Sequence, residues 1–419
     1  MSRKHKRSLI FRRLAIVGVL AAGVIAVFAG ILWMQDAPIR DAQQRLADGD
    51  SETAIRLIRS WEKTHSPTGR SQALLARSLA ESGDFHRAIT IFEAVGVANA
   101  EEIHSWARAY LSVHQWSSAL PLLKDLRSRD HEDADVLHEL AACQAKLGML
   151  EEALETGNEF KSHDKYAHRA WLLIGVIHTQ RGNKTAAIEA WRQIEKYDPE
   201  YRDLQLPPEE FLTQFASLQI ELGQTEEAVK LLTKALSIHE TAEAQFQAGL
   251  AADLNGDQAT AKQRWQRALE LDGVHRNARE SLTRLAIAAG DTDAALALLL
   301  PIVGQDSNRS STTYLMQRVA QLQSDSEQAT IWQKRTELLR KREAIDSTVN
   351  RLLTEDPNSY WAQVVRSYQF ADRGDFQQAQ QLLERIRVEN EDSFVTDLRK
   401  AVATRGRLPD KYQIPIKHF

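Results

Sequence analysis

The sequence predicts an all-α solenoid, a stack of about nine to ten antiparallel helix pairs preceded by one apolar segment. Three observations carry that reading. Ala, Leu, Glu, Gln and Arg crowd every window, while 419 residues hold only 19 Gly and 10 Pro, the usage of a helix former. An alanine five residues beyond a helix-breaking turn recurs along the chain, at Ala54, Ala88, Ala119, Ala153, Ala187, Ala228, Ala261, Ala295, Ala329 and Ala379. Five of the nine intervals between these alanines equal 34, a period that marks stacked repeats rather than a single globular core.

The turn position itself is glycine at Gly49, Gly83, Gly148, Gly182, Gly223, Gly256, Gly290 and Gly374, and His114 and Ser324 stand in its place in the other two units. One unit, Trp171 to Pro199, shows how a pair forms. Trp171, Ile174 and His178 lie on one helical face at i, i+3 and i+7. Gly182 and Asn183 supply the left-handed geometry that ends this helix, and Ala187, Trp191 and Ile194 line the facing side of the next. Gly175 and Ala187 are small where two backbones cross, Trp191 is large enough to reach the following pair, and Pro199 stops the second helix at Asp198.

These residues resemble the tetratricopeptide repeat, whose pattern of about 34 residues runs aromatic, Leu-Gly, Gly turn, Ala, aromatic, Ala, Pro. The stretch around Gly249, Gly256, Ala261, Trp265 and Ala268 is similar, as is that around Ala76, Gly83, Phe85, Ala88 and Phe92. The resemblance spans about residues 40 to 390 and implies a right-handed solenoid with a regular array over 35–323. An irregular stretch over 324–396 and a basic tail over 397–419 follow. The spacing of 50 from Ala329 to Ala379 admits one lengthened helix or an extra degenerate hairpin between Ile331 and Leu353. Pro121, inside a second helix, implies a kink or a late start, and Leu204 to Pro208 reads as an inserted connecting loop.

Ahead of the array, residues 1–13 are basic and Leu14 to Met34 is uncharged throughout, long enough at 1.5 Å per residue to span a hydrocarbon core of about 30 Å. The flanking cations place the N-terminus in the cytoplasm and the body outside it, in the periplasm if the source is bacterial. A cleaved signal peptide ending at Ala29 is the alternative, but it would leave Ile31 to Met34 as an exposed apolar N-terminus. Six of the 53 basic residues and none of the 57 acidic ones lie in 1–34, so the net charge of −4 conceals a body near −10. Such a body repels phosphate backbones, and no nucleic-acid partner is expected.

Catalytic signatures are absent: no HExxH, GxSxG, GxxxxGK or GxGxxG occurs, and no enzyme, cofactor or metal is expected. One cysteine, Cys143, excludes an intrachain disulfide and reads as a small core residue. His104, His114, His131, His138, His163 and His168 lack helical metal-ligand spacing and read as solvated. Asp253 to Asp257 is calcium-loop-like but coincides with a repeat turn and lacks the distal glutamate.

What remains is surface. In tetratricopeptide proteins the first helix of each pair lines a concave groove, and the resemblance assigns Arg77, His104, Arg108 and His138 to it as a mildly basic stripe. Such a stripe suits an acidic peptide or a C-terminal carboxylate, with Arg77 and Arg108 as bidentate donors. Leu172, Leu173, Val176, Phe246 and Leu250 make a more apolar continuation, suited to a helix, an extended peptide or the chain's own tail. The expected function is a membrane-anchored protein-interaction scaffold or assembly adaptor. A non-catalytic regulatory subunit of an envelope enzyme or secretion complex, and a structural oligomer, are the alternatives.

Overall fold

In a computed structural model of the chain, the described residues are 37–415 apart from 131, 164, 166, 205, 305–308, 357 and 387–390. The apolar segment 14–34 and its basic flank lie outside them, as does His131. Among the described residues no helix is long and apolar enough to cross a membrane, and there is no strand.

The chain divides into two compact units, Met1–Leu147 and Gly148–Phe419. The first holds α1 (Ala37–Ala47), α2 (Ser51–Glu62), α3 (Gly69–Glu81), α4 (Phe85–Val95), α5 (Ala100–Ser112), α6 (Trp116–Arg129) and α7 (Ala134–Lys146). The second begins with α8 (Leu150–Phe160), α9 (Ala167–Gln180), α10 (Lys184–Tyr197), α11 (Pro208–Glu221), α12 (Thr225–Ile238), α13 (Ala242–Leu254) and α14 (Gln258–Leu271). It continues through α15 (Arg276–Ala288), α16 (Thr292–Leu299), α17 (Ser310–Leu322), α18 (Ser326–Glu355), α19 (Tyr360–Asp372), α20 (Phe376–Arg385) and α21 (Ser393–Thr404). Within each unit, successive helices pair as hairpins, α1 with α2 through α5 with α6 and α9 with α10 through α19 with α20.

The turn joining each pair has one chemistry. All eight turn glycines have positive φ, and so do His114 (60°) and Ser324 (61°), the two residues that stand in for glycine. In nine of the ten turns the next residue donates its N–H back to the inner helix, as Asp84 does to Leu79 and Asp257 to Ala252, which satisfies a carbonyl the helix end leaves open. In seven of the ten pairs that residue also caps the outer helix. The side chains of Asp50, Asp84, Asn183, Asp257, Asp291, Asp325 and Asp375 accept from the backbone N–H three residues on.

The repeating alanines are the contact points of the pairs: nine of the ten are fully buried, and only Ala329 on α18 is half-buried. Trp191 and Trp265 occupy equivalent places. Each indole donates its N–H to a carbonyl of the preceding helix at 3.2 Å, Leu172 and Phe246 respectively, and each ring fills the space where Gly175 or Gly249 has no Cβ. Trp191 therefore covers its own hairpin partner as well as reaching Phe211 and Phe215 in the next hairpin, at ring distances of 5.6 and 5.7 Å.

Three irregular features take definite form. The helix containing Pro121 starts at Trp116, so the proline does not delay it. The inserted loop is built into the core: Tyr201 and Leu204 are buried among Trp191, Phe211 and Leu212, and the buried Asp198 carboxylate accepts from the backbone N–H of Arg202 and Asp203. The long interval near the end is one 30-residue helix, α18, rather than an extra hairpin. Residues 397–404 of the expected tail belong to α21, and beyond them Ile414 is buried against α19, α20 and α21. The tail thus packs on the last helices rather than beside Leu172 or Phe246.

Candidate functional site

The basic stripe of the first unit is a contiguous set of side chains on three inner helices, α3, α5 and α7. Arg77 on α3 reaches the first turn of α5, where its Nη1 stands 2.9 Å from Glu101 Oε2. His104 and Arg108, one turn apart on α5, both turn to Glu139 on α7: His104 Nε2 lies 2.8 Å from Oε2 and Arg108 Nε 3.3 Å from Oε1. His138 is half-buried beside Glu139 on α7. His104 and Arg108 converge on one carboxylate, and the charges of Arg77, His104 and Arg108 are answered from within the chain.

The two carboxylates differ in a way that decides what the site can do. Glu139 is 18% exposed and holds two partners, so it is a fixed part of the surface. Glu101 is 71% exposed, and an ion pair so open to water is weak and exchangeable. Arg108 is the most exposed cation of the stripe, with 63% of its side chain open to solvent beside its contact with Glu139. The hydrogen bond to Glu139 raises the pKa of His104 above its ordinary value; burial and Arg108 oppose the rise, while the charges of Glu139 and Asp133 add to it. Behind the stripe, Tyr110 donates to Glu93 at 2.7 Å, and burial pushes its pKa up to about 12. Cys143 is fully buried on α7 with its thiol against the Trp116 carbonyl, and burial pushes its pKa up to about 12 as well.

Glu101 and Glu139 are the residues that sequence reasoning passed over. Both lie on first helices of their pairs, Glu101 one turn before His104 and Glu139 next to His138, so the resemblance that assigns those helices to the groove covered them as well as the cations.

The apolar residues belong to the second unit and are placed less uniformly. Leu172 and Val176 on α9 are half-buried beside the cluster around Trp191 and Phe211, and Leu250 on α13 is half-buried beside Ala216 and Leu232. Phe246 is not a surface residue. It is 7% exposed, packed with Trp265 and Leu282 and tilted against the His275 ring at 5.3 Å, because the following hairpin closes over it. His168, expected to be solvated, is likewise buried, at 7% exposure. The Asp253–Asp257 stretch is a turn in which Asp257 caps α14, and among the described residues no group of His, Cys, Asp and Glu is arranged to hold a metal ion.

Comparison with known proteins agrees with the repeat register. Family models of the tetratricopeptide repeat match residues 104–165, 168–201 and 209–240, and over these residues the chain carries tetratricopeptide repeats. No curated protein matches the chain. Similar solved structures include YrrB, described as a TPR protein with an unusual peptide-binding site, at 20% identity over 40% of this chain and 89% of its own, with a TM-score of 0.37. MamA from Desulfovibrio magneticus RS-1 is 19% identical over 40% of this chain and 97% of its own, with a TM-score of 0.37. The C-terminal part of a TPR repeat-containing protein from Cytophaga hutchinsonii is 14% identical over 57% and 97%, with a TM-score of 0.46.

Proposed function

We propose that this chain is a non-catalytic interaction scaffold, held to a membrane by residues 14–34, that receives a partner's acidic peptide segment on the inner helices α3, α5 and α7. Tetratricopeptide-repeat proteins are generally protein-interaction scaffolds, which supports the broad reading. The single observation that carries the finer one is the asymmetry of the stripe. Arg108 is largely exposed beside Glu139, and Glu101, which pairs with Arg77, is open to water, so an incoming carboxylate can take Arg108 directly and displace Glu101 from Arg77. Glu139, being fixed, sets the register by repelling a carboxylate placed too deep.

The partner is therefore a segment of mixed character with one or two carboxylates, rather than a strongly acidic tail, since two of the stripe's own acids remain beside its cations. The test is photo-cross-linking from Ser105, which lies between His104 and Arg108, followed by the double change Arg77→Glu and Arg108→Glu. The captured partner is expected to be lost in the double variant while the helical fold is kept by circular dichroism, with a stability loss of about 1–3 kcal/mol from the like charges set beside Glu101 and Glu139. Capture that survives the double change overturns the site. Anchoring is tested separately: the full chain should stay with membranes through alkaline washing, and deletion of residues 14–34 should release it; release of the full chain by the wash overturns the anchor.

A further inference from the structure

The second unit holds one contact that the repeat pattern does not require. Arg366 on α19 donates from Nη2 to the carbonyl oxygen of Gly148 at 3.4 Å, across 218 residues of sequence. Both residues belong to this unit, so its first helix, α8, meets the junction of α18 and α19 and the stack closes on itself.

The seam is held by little. A cavity of about 270 Å³ lies along it, lined among others by Leu150, Glu152, Leu353, Asn358 and Arg366. The apolar cluster that unites α18, α19, α20 and α21 includes no residue of α8, so that cluster does not seal the joint. The hydrogen bond is long and its acceptor is a neutral carbonyl, while the guanidinium has given up part of its hydration to make it. Glu152, in the first turn of α8, offers the opposite charge at longer range. A joint whose one direct hydrogen bond among the described residues is long and lies beside an open cavity is easily broken and easily remade.

We propose that the second unit opens and shuts at this seam and that Arg366 is its latch. Opening frees the group α19, α20 and α21 from the start of the unit, where Glu151 and Glu152 already stand exposed in the first turn of α8. This is independent of the peptide site on α3, α5 and α7, which lies in the other unit.

The test uses the full chain carrying Met149→Cys and Asn358→Cys, treated with a short bis-maleimide cross-linker. Cys143 is fully buried and stays silent, and each single-cysteine form reports its own labelling rate. The latched protein is expected to cross-link within the chain. Arg366→Gln, which shortens the side chain and removes its charge, should slow cross-linking several-fold, and Arg366→Glu, facing Glu151 and Glu152, should slow it further. Should Arg366→Glu fail to fold, by circular dichroism, Arg366→Gln decides alone. An unchanged rate in the variants overturns the latch, and so does a native pair in which both cysteines label but never cross-link.

Discussion

At the scale of the residue, the turns define the molecule, and their chemistry is additive enough to test. An L-residue held at positive φ costs roughly 1–2 kcal/mol relative to its preferred regions, and glycine escapes that cost while losing some entropy on folding. Ser324→Gly is expected to stabilise the chain by about 1 kcal/mol in denaturant titration, whereas His114→Gly gains less because the imidazole lies 5.4 Å from the Trp116 ring. Gln115 has the backbone angles of Asp84, −87° and 63°, but makes no side-chain cap, so Gln115→Asp should add about 1 kcal/mol. Gly175→Ala should do the opposite, costing about 1–3 kcal/mol, because the new methyl group would occupy the space of the Trp191 indole.

His104 gives the pH dependence a sign. Its folded-state pKa is raised by Glu139, so the stability it contributes is full below the ordinary histidine value near 6.5 and is lost as pH rises through the higher folded value. Melting temperature should therefore fall between pH 6 and pH 8 by more in the native chain than in His104→Gln; equal slopes would remove His104 from the account.

At the scale of the element, the pairs were legible because landmarks recur at fixed spacing: a positive-φ residue in every turn, a capping Asp or Asn after seven of the ten, and an alanine that is fully buried in nine. The helices that departed from the pattern were harder for identifiable reasons. No Gly or Pro occurs between Ser326 and Glu355, which was the signal for one continuous helix, but the landmark alanine, Ala329, stands at its start and says nothing of where it ends. Ala344→Pro, at an exposed site in the middle of α18, should cost about 3 kcal/mol if the helix is continuous and far less if a turn lies there.

The insertion was legible as a connection and not as core, since Leu204 and Tyr201 fall outside any helical period. Their burial comes from the facing helices α10 and α11, which sequence spacing alone does not supply. Leu204→Ala is expected to cost about 2–5 kcal/mol, the range for removing a fully buried leucine side chain.

At the scale of the whole molecule, composition and period were enough for the class of fold, because a stack of helical pairs is quasi-one-dimensional and each pair repeats the last. The candidate site was half legible. The positions of Arg77, His104, Arg108 and His138 followed from the repeat register, but their net charge did not. Glu101 and Glu139 come from neighbouring helices, and pairing across helices depends on side-chain reach rather than on sequence spacing. Phe246 was misassigned for a related reason: a groove position becomes core where the next hairpin packs closely over it.

The central claim is that partners bind the inner helices of the first unit. Hydrogen exchange measured with and without the partner captured from Ser105 tests it most directly. The account predicts added protection in α3, α5 and α7 around Arg77, Arg108 and Glu139, and little change in the outer helices α4 and α6. Protection confined to α4 and α6, with the inner helices unchanged, would contradict it.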